Sequence, residues 1–96
     1  MSVVLVGGHD RMHVEYKDIG DKYGYKLKIF TQLETRFEKK IGSPDAIILF
    51  TNTVSHKMIR TALKKAKKSK IPVIRCHTSS GFSLEETLKT LDKVVS

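Results

Sequence analysis

The 96-residue sequence has one cysteine, two prolines and no tryptophan, with three tyrosines and four phenylalanines as its only aromatics. A lone cysteine cannot close an internal disulfide, which excludes the stapled scaffolds of small secreted proteins. The longest apolar run, Ala46 to Phe50, is far short of the roughly 20 residues that a membrane-spanning helix needs. Met1-Ser2 leads straight into Val3-Val4-Leu5-Val6 without a basic segment, so no secretory signal is expected. These features together predict a cytoplasmic protein. C-x-x-C, H-E-x-x-H and C-x₅-R spacings are missing, which disfavours structural zinc, a zincin and a cysteine phosphatase. The glycine fingerprints of dinucleotide and P-loop sites are missing too.

What is present is a folded balance: 40% hydrophobic and 29% charged residues, at the length of one domain, 1–96. The net charge is +8, and its distribution is uneven. Between Ser55 and Lys70 lie Lys57, Arg60, Lys64, Lys65, Lys67, Lys68 and Lys70, with no acid among them. The rest of the chain is nearly neutral. A basic helix of this kind attracts nucleic acid, an acidic protein or anionic lipid. The simpler reading is the solvated side of a helix packed on a sheet. It lacks the interleaved aromatics on which single strands stack.

Hydrophobic periodicity gives the architecture. Val3-Val4-Leu5-Val6 followed by Gly7-Gly8 fits a strand buried on both faces. A helix is expected over Asp10 to Lys22, stopping at Gly24. Tyr25 to Phe30 alternates apolar with Lys26 and Lys28, as an edge strand does. Leu33 to Ile41 predicts a short helix and Asp45 to Phe50 a central strand. Thr53 or Ser55 caps the next helix, whose apolar stripe is Met58, Ile59, Ala62, Leu63 and Ala66. Ile71-Pro72-Val73-Ile74 opens the fourth strand. Ser83 with Glu86 predicts a capping box for a final helix burying Leu84, Leu88, Leu91 and Val95. Strands alternating with helices imply an α/β fold: a doubly wound, parallel four-stranded sheet, flavodoxin-like or Rossmann-like, in the order 2-1-3-4. A sheet this small also predicts a homodimer.

In such sheets ligands bind beyond the carboxyl ends of the strands. The three relevant ends carry Gly7 to His13, Thr51 to His56 and Cys76 to Gly81. All four histidines (His9, His13, His56, His77) and Cys76 therefore gather near one sheet edge. Each has a duller reading. Cys76 can be a small buried hydrophobe, His56 a surface residue, Asp10 an N-cap, and Arg11 a partner of Glu15 one turn on. His13, one helical turn beyond His9 on the same face, can share its ligand. Gly7-Gly8 suits backbone approaching an anion at a helix N-terminus. Thr51, Thr53, Ser55, Thr78, Ser79 and Ser80 supply hydroxyls. Cys76 with His77 or His9 also admits a thiol enzyme, although no residue stands out as an oriented base.

Five segments resemble a small bacterial family of α/β domains of unknown function. They are Val6-Gly7-Gly8-His9-Asp10-Arg11-Met12, Phe30-Thr31-Gln32, Ile41-Gly42-Ser43-Pro44-Asp45, Thr53-Val54-Ser55-His56-Lys57-Met58 and Arg75-Cys76-His77-Thr78-Ser79-Ser80. The likeness spans almost the whole chain. It implies haem binding and carries over His9, Arg11, Met12, His56, Cys76, His77 and Ser79, without saying which of them ligates iron. On this reading the protein is a cytosolic haem-binding or metal-binding domain with a redox-sensing or regulatory role. A Cys76 thiolate is the first ligand, and His9 or His77 is the second or the sixth position stays open. Arg11, Arg75 and the serines, Ser80 included, balance thiolate and propionate charge, while Met12, Phe50 and Phe82 line the slot. The alternative is a binding module without metal. In it Gly7, Gly8, Ser79 and Ser80 hold a phosphate-bearing ligand, and the basic helix meets nucleic acid or an acidic partner.

Overall fold

The computed structural model describes residues 1–95, except for the side chains at 92, 94 and 95. Four parallel strands lie in the order β2-β1-β3-β4: β1 is Ser2–Val6, β2 Lys26–Phe30, β3 Ala46–Phe50 and β4 Val73–Cys76. Register pairs Val4 with Lys28 and Ile47, and Ile48 with Ile74. The expected strand order and its doubly wound α/β character are thus present. The two centre strands are the continuously apolar ones, because each is covered on both faces.

Two helices cover each face of the sheet. Helices α1 (His13–Lys22) and α4 (Gly81–Val95) cover Val3, Leu5, Ile48 and Phe50. Helices α2 (Phe37–Ile41) and α3 (His56–Ser69) cover Val4, Val6, Ile47 and Leu49. The alternation in β2 is as expected: Leu27 and Ile29 are buried, Lys26 and Lys28 exposed. Lysines on an edge strand oppose pairing with another sheet. Lys22 and Tyr23 both reach Glu85, at 3.2 and 2.7 Å, fastening α1 to α4. These contacts, the tyrosine hydroxyl's first, hold the Glu85 carboxyl below its ordinary pKa.

Several local expectations need correcting. The α1 region opens as a 3₁₀ turn, Asp10–Met12, before the α-helix starts at His13. The second helix is only five residues long, because Arg36 takes a left-handed conformation (φ 60°) and Phe37 turns inward, its ring edge-on to that of Phe30 with centroids 5.0 Å apart. Ser55, not Thr53, caps α3, its hydroxyl accepting from the Met58 amide at 3.2 Å. The fourth strand begins after Ile71-Pro72, at Val73. The final helix starts at Gly81, two residues ahead of the expected cap. Ser80 Oγ accepts from the Ser83 amide at 3.1 Å, and no Ser83–Glu86 box forms. Leu84, Leu88 and Leu91 are buried as expected, whereas the Val95 side chain lies outside the described residues.

Candidate functional site

Beyond the carboxyl ends of β1, β3 and β4 the chain opens a crevice of about 340 Å³. His9, Arg11, Met12, Asn52, Ser79 and Ser80 form its walls, and Gly81 brings in the first turn of α4. This is the switch point, where crossovers from neighbouring strands leave to opposite faces and the loops splay apart.

A directed hydrogen-bond relay holds the three loops together. The Gly8 amide donates to Thr53 Oγ1 at 2.7 Å, and Ser79 Oγ donates to Asn52 Oδ1 at 2.8 Å. Ser79 has a single hydroxyl proton, so the 2.6 Å contact between Thr53 Oγ1 and Ser79 Oγ runs with Thr53 donating. Thr53 Oγ1 also lies 3.4 Å from the Phe50 carbonyl oxygen, the more distant of its two possible acceptors. Asn52 joins the relay through its oxygen, and its NH₂ group, on the crevice wall, has no hydrogen-bond partner among the described residues. Beneath the relay, Tyr16 Oη donates to the Ser79 carbonyl at 2.6 Å. Tyr16 is fully buried, and chiefly for that reason its hydroxyl pKa is raised above 10.0.

The glycines make this closeness possible. Gly8 has φ +91°, and a Cβ there would lie 2.8 Å from Tyr16 Cε2 and Oη. At Gly7 (φ +106°) it would lie 3.0 Å from the Phe50 carbonyl oxygen. Both positions therefore suit a residue without a side chain.

The crevice is rich in donors. Arg11 is exposed and makes no ion pair among the described residues, so the expected link to Glu15 does not form. The amides of Gly81 and Phe82 head α4 and have no intrahelical acceptor. The helix dipole adds partial positive charge at that point. Ser80 Oγ is engaged with Ser83, and Ser79 Oγ with the relay, so both hydroxyls shape the crevice wall.

Other candidates lie elsewhere. His13 begins α1 and is exposed; His9 precedes the helix, so the two do not stack one turn apart. His56 heads α3, His77 follows β4, and Arg75 sits on β4; all three are exposed and none lines the crevice. Cys76 is half buried against the α1–α4 core, with Sγ 3.1 Å from Thr87 Oγ1. Of the residues expected to line an apolar slot, Met12 is on the wall, Phe50 is fully buried and Phe82 is 71% exposed. Met12 apart, the side chains that line the crevice are polar, and Cys76 and His77 are not among them. No cluster of three metal-ligating side chains forms among the described residues. Asp10 does not cap the helix. Its carboxylate accepts from Thr31 Oγ1 and from Gln32 Nε2 (2.7 Å for the latter), tying the β1 loop to the β2 loop.

Sequence reasoning passed over Tyr16 and Asn52. The signal for Tyr16 was available, since a tyrosine on the inner face of a helix needs a buried acceptor. Nothing local marks Asn52.

A larger groove, about 470 Å³, runs between α2 and α3 past Arg36, Phe37, Glu38, Lys57 and Thr61. It lies away from the strand ends and mixes acids with bases, so the crevice is the better candidate.

Comparison with known proteins agrees with the architecture. A family model described as an uncharacterized protein conserved in bacteria (DUF2325) matches residues 2–91. No curated protein matches the chain. A de novo designed Rossmann-fold protein is similar in structure, with a TM-score of 0.64 at 18% identity over 95% of this chain and 96% of that one. That likeness speaks to the fold alone.

Proposed function

The chain belongs to the DUF2325 family of uncharacterized proteins conserved in bacteria, and we propose that it is a binding module whose crevice takes a small phosphate-bearing ligand. One observation carries this reading: Arg11, Asn52 and Gly81, the first residue of α4, line the same crevice. Convergent donors at a helix N-terminus form an anion site. Arginine supplies the bidentate, charge-assisted contact that phosphate geometry favours. His9 adds a further nitrogen donor, and Met12 gives one apolar contact for whatever the phosphate is attached to.

The test is an amide-resolved NMR titration with inorganic phosphate and, separately, a nucleoside monophosphate. Saturable shifts are expected at Gly8, Ser80, Gly81 and Phe82. Arg11→Ala should weaken binding about tenfold or more, as loss of a charged hydrogen bond worth about 1.5–3 kcal/mol implies. If neither probe gives saturable shifts at millimolar concentration, the phosphate reading fails.

A further inference from the structure

The outer face of α3 takes no part in the crevice. With 3.6 residues per turn, Met58, Ala62 and Ala66 form the buried stripe. Lys57, Arg60, Lys64, Lys67 and Lys68 then fall within an arc of about 100° on the opposite side, over roughly 16 Å of helix. All five are exposed, and none is in an ion pair among the described residues. The sequence contains no acid between Asp45 and Glu85, so no neighbour in the α3–β4 region neutralises them. Like charges three and four residues apart oppose helix formation. Apart from Glu34 and Glu38, which border the groove beside Lys57, the row has no counter-charge nearby, and an anionic partner would supply one.

The partner's chemistry follows from what accompanies the charge. The large apolar side chains exposed among the described residues are Met1, Val14, Leu33 and Phe82; none belongs to α3, and of the four Leu33 alone borders the groove beside Lys57. An acidic protein interface draws most of its energy from aromatic or aliphatic anchors, and a helix on a lipid surface inserts apolar side chains. A single strand needs rings to stack on. The phosphate backbone of a duplex needs only spaced cations. Arg36 extends the row, since it borders the same groove as Lys57. Glu34 and Glu38 border that groove from the α2 side and mark where the contact ends.

We propose that the outer face of α3 binds duplex nucleic acid through its phosphates, without sequence preference and independently of the crevice. The experiment is fluorescence anisotropy of the full chain with a labelled mixed-sequence DNA duplex across a salt series. With five phosphates neutralised, log K should fall against log[salt] with a slope of about −4.5, or a few hundredfold between 50 and 200 mM. The triple variant Lys57→Gln, Arg60→Gln, Lys64→Gln should flatten the slope by about 2.7. Its fold is checked by circular dichroism, and its response to inorganic phosphate should match that of the parent chain. Absence of duplex binding at 50 mM salt, or a triple variant with an unchanged slope, overturns the proposal. So does tighter binding to polyglutamate or to phosphatidylserine vesicles at equal salt, which would assign the face to an acidic protein or a membrane.

Discussion

Tyr16 on α1 donates its hydroxyl proton to the main-chain carbonyl of Ser79, 63 residues later in the chain, at 2.6 Å. Ser79 is only 7% exposed and in turn joins Thr53 and Asn52, so one phenol supports the whole crevice floor. Tyr16 also packs against Phe50, ring centroids 5.6 Å apart, which anchors the support in the core. The three loops that form the crevice are thereby joined to one another and to the core by hydrogen bonds.

Removing that hydroxyl should be felt in both stability and pH response. Tyr16→Phe leaves the ring in place but strands a buried carbonyl, a loss of about 1–3 kcal/mol in urea unfolding at neutral pH. The folded-state pKa of Tyr16 lies above 10.0, mainly because the phenol is buried. The unfolded chain therefore ionises first as pH rises. The stabilisation is complete below pH 10.0 and is lost progressively above it. Tyr23, raised chiefly by its hydrogen bond to Glu85, adds to the same alkaline loss. Stability of Tyr16→Phe should accordingly fall less steeply than that of the parent between pH 10 and 11. Parallel profiles would remove Tyr16 from this role.

Gly8→Ala tests the same support from the opposite side. Backbone strain at positive φ costs about 1–3 kcal/mol, and the new Cβ would meet Tyr16 at 2.8 Å. The ring must move, and with it the bond to Ser79. Beyond a lower unfolding midpoint, the amide resonances of Ser79, Ser80 and Gly81 should shift even though they are distant in sequence. Shifts confined to residues next to Gly8 would mean that the loops are not mechanically linked.

The sheet was readable because its evidence is periodic. Continuous apolar runs marked the covered centre strands, and the Tyr25-to-Phe30 alternation marked the edge. Helix starts were less legible: Ser80 and Ser83 are both competent caps, and only the packing of Leu84 and Leu88 decides which one is used. The crevice was legible as a place, through Gly7-Gly8 and the strand-end rule. Its membership was not, because strand parity sends Cys76 to the α1–α4 face opposite Phe50, while chain proximity alone groups it with His77 and Ser79. The relay was invisible for the same reason: Gly8, Thr53 and Ser79 come from three separate loops, after β1, β3 and β4.

That placement of Cys76 gives a direct test between the two binding readings. A Cys76 thiolate on iron would have to leave Thr87 Oγ1, now 3.1 Å away, and turn out of its packing against the core. The crevice that a porphyrin would occupy offers Met12 as its apolar contact, among donors suited to phosphate. Titration of the purified protein with haemin, followed by its visible spectrum oxidised and then reduced, should give no saturable Soret band that depends on this thiol. Cys76→Ala should behave as the parent does, apart from a modest loss of stability for a half-buried side chain. A sharp band at fixed stoichiometry that shifts in Cys76→Ala would establish a thiolate-ligated haem and require the loop after β4 to rearrange around it. The phosphate titration of the same sample separates the cases, because a crevice holding a porphyrin would no longer offer Arg11 and the head of α4 to a small anion.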